Sequence, residues 1–147
     1  VLMRGLAERY VEQHNIHNID FLGFLPIDEV LRYQCSALFV LLPSIFYETF
    51  GRTIMEAYSV GTPVIASNIG AITENVVEGE TGLLFTPGDA NDLAKNVRLA
   101  INNPRKLIKW GIEAHKLYQS KFTAEIAYQQ LVHIYAEALN RTASLSQ

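Results

Sequence analysis

The apolar run Ala-Leu-Phe-Val-Leu-Leu at residues 37–42 is followed by a polar loop, a short helical pattern and a second apolar run, Val-Ile-Ala-Ser, at 64–67. This series constrains the fold more than any other stretch. A continuous apolar run without alternation suits a parallel strand covered on both faces. The helical pattern between the runs is carried by Ile54, Met55, Ala57 and Tyr58, and Gly61 and Pro63 stop it. Two parallel strands joined through a helix make one βαβ crossover.

In such a unit the strand-to-helix loop lies at the carboxyl ends of the strands, where open α/β sheets bind ligands. Gly51 permits a tight turn and a close backbone approach. The N–H groups of Gly51, Arg52 and Thr53 stand at the helix start without intrahelical acceptors. Together with the positive end of the helix dipole they suit a phosphate. Glu48 precedes the turn and Glu56 lies about one turn into the helix, so both carboxylates border one cleft in this reading. Carboxylates only accept hydrogen bonds, which matches the donating hydroxyls of a sugar or ribose. The ordinary alternative is that both acids simply answer the helix dipole.

The series Pro43, Ser44, Glu48, Phe50, Gly51, Glu56, Ala57, Gly61, Pro63, Val64, Ala66 and Ser67 resembles the donor-site signature of the retaining GT-B glycosyltransferases of family 4. Glu48 and Glu56 take the places of that family's Glu-x7-Glu pair. The resemblance extends upstream through Phe21-Leu22-Gly23-Phe24 and downstream through Gly79-Glu80-Thr81-Gly82-Leu83-Leu84 and Pro87-Gly88-Asp89. It covers nearly the whole chain.

The chain has 147 residues, enough for one domain with a real core. Hydrophobic residues make up 49% and charged residues 18%, the balance of a globular protein. A net charge of -3 gives no basic face for nucleic acid. Cys35 is the single cysteine, which rules out an intrachain disulfide and points to a reducing compartment. The sequence shows no membrane-span run and no signal peptide, so the expected location is cytoplasmic, with peripheral membrane association left open. His14, His17, His115 and His133 are scattered, and no metal site is expected.

Taken in order, Leu2, Leu6, Tyr10 and Val11 recur at helical spacing at the very start. In the family this helix follows further βα units, so the chain reads as a fragment of a larger enzyme, cut inside its carboxyl-terminal domain and leaving an open sheet edge. A short strand is expected at 19–23, then a helix at 29–35 capped by Asp28. The resemblance implies that backbone after this strand approaches the nucleotide base, placing Phe24 and Leu25 near the donor; the alternative is that Phe24 packs its loop. After Ser67 come a loop, a helix at 72–77 with Glu74 as cap or cleft residue, a strand at 83–85 and a helix at 90–101. Where the family often has two glycines, this chain has Gly70 and Ala71.

The last third is helical, with Thr123 capping a final helix whose Ile126, Ala127, Leu131, Ile134, Tyr135, Ala138 and Leu139 read as core or as an interface to another domain. Residues from 142 onward read as a loose tail.

The fold expected is α/β: a Rossmann-like parallel sheet with flanking helices, the C-terminal half of a GT-B fold with its first βα units missing, followed by C-terminal helices. Residues 1–122 form the partial nucleotide-sugar-binding domain and 123–147 the terminal helix and tail. The resemblance implies a nucleotide-diphosphate sugar as donor substrate, no cofactor and an acceptor bound by a missing N-terminal domain. Glu56 would take the ribose hydroxyls. Glu48, the catalytic candidate, would take the donor sugar's hydroxyls and bind rather than act as a nucleophile. The N–H groups of Phe50, Gly51, Arg52 and Thr53 would hold the sugar and diphosphate. The full-length protein would be a hexosyltransferase, and the fragment alone inactive. The competing readings are a non-catalytic nucleotide-sugar-binding module and a GT-B-fold sugar epimerase.

Overall fold

The computed structural model describes residues 2–145. The chain divides into two compact units, Val1–Val30 and Leu31–Gln147. In the first, α1 (Leu2–Gln13) carries an exposed Arg4–Glu8 pair one turn apart, at 2.6 Å. The helix closes on Asn15, at a left-handed φ of 49°, with the Ile16 N–H donating to the Val11 carbonyl. None of the described residues of this unit is buried, in keeping with the small core that so short a segment can enclose.

The strand expected at 19–23 does not form. A strand exists only through ladder bonds to a neighbour, and among the described residues this segment has none; Ile19 and Leu22 remain exposed. The next helix, α2 (Ile27–Ser36), starts two residues earlier than expected. Asp28 therefore lies inside its first turn, where it answers the dipole, and is not the cap.

The second unit is built on three parallel strands, β1 (Val40–Leu42), β2 (Val64–Ser67) and β3 (Gly82–Phe85), in that spatial order. Val40 pairs with Val64, and Ile65 with Leu83. All four residues of β2 are buried, because it alone has a strand on each side. At the edge, β1 keeps only three residues of the run 37–42, and Leu38 and Leu41 are exposed. Among the described residues β1 has a strand partner only in β2.

Successive residues of β2 face opposite sides of the sheet, and the core divides accordingly. Val64 and Ala66 pack with Ile54, Ala57 and Tyr58 of α3 (Arg52–Ser59) and with Ile72 of α4 (Ile72–Asn75). Ile65 packs on the other face with Ala100 of α5 (Ala90–Ile101) and with Leu107 and Trp110 of α6 (Pro104–Lys121). The unit is thus a helix–sheet–helix sandwich. Burying one such side chain is worth about 1.5–3 kcal/mol, and Ile54, Tyr58 and Ile72 are all fully buried.

Local chemistry sets the helix ends. Asp89 accepts from the N–H groups of Asn91 and Asp92 and starts α5. Thr123 Oγ1 accepts from the Ile126 N–H and starts α7 (Ala124–Leu145), as the sequence implied. By contrast α4 ends at Asn75, two residues short of the expected Val77. Its start has no side-chain cap, so Glu74 is not one.

The expectation that the α7 stripe is core fails: Leu131, Ile134, Tyr135 and Leu139 are all exposed. The helix has no second apolar layer among the described residues. It also continues to Leu145, through part of the segment expected to be loose.

Candidate functional site

Because β1, β2 and β3 are parallel, the loops that leave their carboxyl ends, 43–51, 68–71 and 86–89, emerge at the same edge of the sheet. The first of these leads into α3. Gly51 takes φ 77° and ψ 52° at the N-cap position, a left-handed conformation open to glycine at little cost. No side chain caps this end. The first-turn N–H groups of Arg52 and Thr53 have no carbonyl within the helix to bond. Gly51 itself is buried, with the Ile54 side chain packed under it.

Of the two carboxylates, Glu48 stands on the loop before this turn and Glu56 on the helix after it. Glu48, half-buried on the loop, accepts a short hydrogen bond from the Ser44 hydroxyl. That bond fixes the direction of the carboxylate while leaving its other lone pairs for further donors. Glu56 lies on the second turn of α3, its side chain 24% exposed, and meets the guanidinium of Arg52 at 3.4 Å. The Arg52 side chain is 83% exposed. A contact of that length in water contributes little. Phe50 is partly exposed and meets Phe122, beyond the end of α6, edge to face with ring centroids 6.2 Å apart.

Two supports escaped the sequence reading. Asn75 donates from Nδ2 to the Phe50 carbonyl at 2.5 Å. The Tyr47 ring packs on Gly70, where an added Cβ would lie 3.0 Å from Tyr47 Cδ1. Neither pairing has a local signal, since each joins residues more than twenty positions apart. Ser44, Phe50 and Gly70 stood among the positions already singled out, and Asn75 and Tyr47 did not. Phe24 and Leu25 belong to the first unit, and Phe24 is 99% exposed, so it does not pack its loop.

A groove of about 730 Å³ lined by Cys35, Leu38, Pro63, Ile108 and His115 lies at the other end of α3, beside Ser59 and Gly61, and takes no part in this constellation. Among the described residues no group of three His, Cys, Asp or Glu side chains is placed to hold a metal ion. No described helix is long and apolar enough to cross a membrane.

A parallel α/β sheet with a glycine turn, uncapped amides and two flanking carboxylates at its carboxyl edge is the layout of an α/β ligand-binding domain. The family model of the glycosyl transferases group 1 matches residues 5–117, and the chain belongs to that family. It is 32% identical over 130 residues to an uncharacterized glycosyltransferase of Methanocaldococcus jannaschii, covering 88% of this chain and 36% of that protein. Among solved structures it is similar to a sucrose-phosphate synthase from Thermosynechococcus elongatus, at a TM-score of 0.87 and 30% identity over 95% of this chain and 35% of that one. It is also similar to Anabaena HepE in complex with UDP-glucose, at a TM-score of 0.82 and 27% identity over 90% of this chain and 36% of that one. The chain therefore spans about a third of the length of these proteins. Its architecture is the C-terminal half of a GT-B fold.

Proposed function

We propose that this chain is the donor-binding domain of a retaining GT-B glycosyltransferase of family 4, which transfers a hexose from a nucleotide-diphosphate sugar to an acceptor held by the rest of the enzyme. The observation that carries the reading is the Gly51 turn. It offers uncapped amides at the head of α3, with Glu48 on the loop that leads in and Glu56 on the second turn of the helix. HepE, which has the same fold, binds UDP-glucose.

In this reading the N–H groups of Phe50, Gly51, Arg52 and Thr53 hold the sugar and diphosphate. Fixed donors at that position also stabilise the charge that grows on the departing phosphate as the glycosidic bond breaks. Glu56 accepts from the ribose hydroxyls. Glu48, held by Ser44, accepts from the donor sugar's hydroxyls and sets its orientation. Because a nucleotide diphosphate is already a good leaving group, Glu48 serves here as a binding group and not as a glycosidase-type nucleophile. The working location is cytoplasmic. A module that binds the nucleotide sugar without transferring it is the second reading.

Calorimetric titration of UDP and UDP-glucose into the 147-residue chain tests both roles. Glu56→Ala should weaken both ligands, and Glu48→Ala should weaken UDP-glucose while leaving UDP unchanged. Failure of the unsubstituted chain to bind UDP overturns the donor-site reading, and equal loss of both ligands in Glu48→Ala overturns the role given to Glu48.

A further inference from the structure

Around the head of α3 the donor loop is tied from behind by the next βα connection. Asn75, the last residue of α4, is 8% exposed, and its Nδ2 donates to the Phe50 carbonyl at 2.5 Å across 25 positions of sequence. The same amide nitrogen lies 3.9 Å from where a Cβ of Gly51 would be. Five residues earlier, Gly70 backs the other part of the loop: a Cβ there would come within 3.0 Å of the Tyr47 ring and 3.6 Å of the Glu48 carbonyl oxygen.

The Phe50 carbonyl and the Gly51 N–H belong to one peptide unit. That unit is planar and trans, so its C=O and N–H point in opposite directions. Holding the oxygen on Asn75 therefore sets the direction of the N–H. Gly51 needs such a constraint more than most residues, because without a Cβ it moves between backbone regions at little cost. We infer that Asn75 is a positioning residue for the donor site: by anchoring the Phe50 carbonyl it presets the Gly51 N–H, and the turn into α3, to receive the diphosphate. The inference rests on the donor-site reading above.

This role separates the diphosphate from the nucleoside. Uridine carries the ribose that Glu56 is assigned to hold but no phosphate, so its affinity is insensitive to the Gly51 amide. Asn75→Asp keeps the size of the side chain, removes the N–H donor and places a carboxylate against a carbonyl. Asn75→Ala removes the whole amide without adding a charge. Titration of each variant with UDP and with uridine, beside amide resonances of the 15N-labelled chain, reads the effect. UDP affinity should fall about tenfold in the uncharged Asn75→Ala, the scale of one lost hydrogen bond to a preset group, and at least as far in Asn75→Asp, whose carboxylate also repels the diphosphate, while uridine affinity should hold in both. The Gly51 resonance should move in both variants before any ligand is added.

Parallel loss of UDP and uridine, or an unchanged UDP-to-uridine ratio, overturns the positioning role while the donor site stands. An unmoved Gly51 resonance does the same. No UDP binding by the unsubstituted chain overturns the donor-site reading and this inference with it. If Asn75→Asp does not fold, Asn75→Ala gives the same ratio.

Discussion

A Cβ on Gly111 would stand 2.3 Å from the carbonyl oxygen of Gly61. Helix α6 therefore crosses the turn between α3 and β2 with only a hydrogen atom between backbones. That crossing lets α6 serve both core layers, Ala114 on the α3 side and Trp110 on the other. The groups in contact are main chain and cannot rotate aside.

Gly111→Ala should accordingly cost about 1–3 kcal/mol or more, the range for forcing a methyl into a filled space. Gly5, on α1, has nothing within 4 Å of an added Cβ. Gly5→Ala should be neutral, or stabilising by up to about 1 kcal/mol through helix propensity. Urea midpoints of the two variants give the comparison, and a Gly111→Ala protein as stable as the parent contradicts the packing described.

Tyr58 makes stability depend on alkaline pH. Its hydroxyl donates to Thr81 Oγ1 at 2.6 Å, and burial pushes its pKa up from 10.0 to about 12, with the Thr81 bond working weakly the other way. The raised value means that the native state keeps the phenolic proton after the unfolded chain has released it. Stability is then fully present below about pH 10 and is lost as pH climbs towards about 12, by a total of order 2–3 kcal/mol. Tyr58→Phe should be less stable at neutral pH by about 1 kcal/mol and should show a flatter alkaline decline. An equal decline in both proteins points to other groups.

Asp92 acts at the acid end with the opposite sign. The Thr86 N–H donates to its carboxylate at 2.8 Å and holds its pKa below the ordinary 3.8. The stabilisation is present above that ordinary value and disappears as pH falls through the lowered one. Asp92→Asn should lose less stability than the parent as pH falls below the ordinary 3.8. A steeper acid loss in the variant would refute the assignment.

Ser44 should matter to the sugar and not to the nucleotide. Its hydroxyl is the observed partner of the Glu48 carboxylate, and without it the side chain gains rotamers. Ser44→Ala should weaken UDP-glucose about three- to tenfold and leave UDP alone, as read by the same titrations. Ser44→Thr should recover most of the loss.

The elements placed best from sequence were those whose cause is local. The run Val64–Ser67 is a strand to the residue, and so is the helix Ala90–Ile101, because Pro63 and the Asp89 cap define their starts within a few positions. The Gly51 turn was legible for the same reason: a glycine before an apolar helical pattern fixes where the amides lie. The segment 19–23 and the stripe of α7 were misjudged because strand and core are properties of neighbours. An apolar residue becomes core only when another surface covers it, and Leu139 shows how little its identity alone says.

What the sequence determined is therefore the crossover, with Glu48 and Gly51 on its loop and Glu56 on its helix. Tertiary structure alone decided that Asn75 anchors Phe50, that Gly111 must be glycine, and that β2 is the buried centre of the sheet. Capping and turn preferences act over a few residues and leave their mark in the string. Hydrogen bonds and close contacts across tens of residues depend on how the layers meet, and no local spacing encodes that.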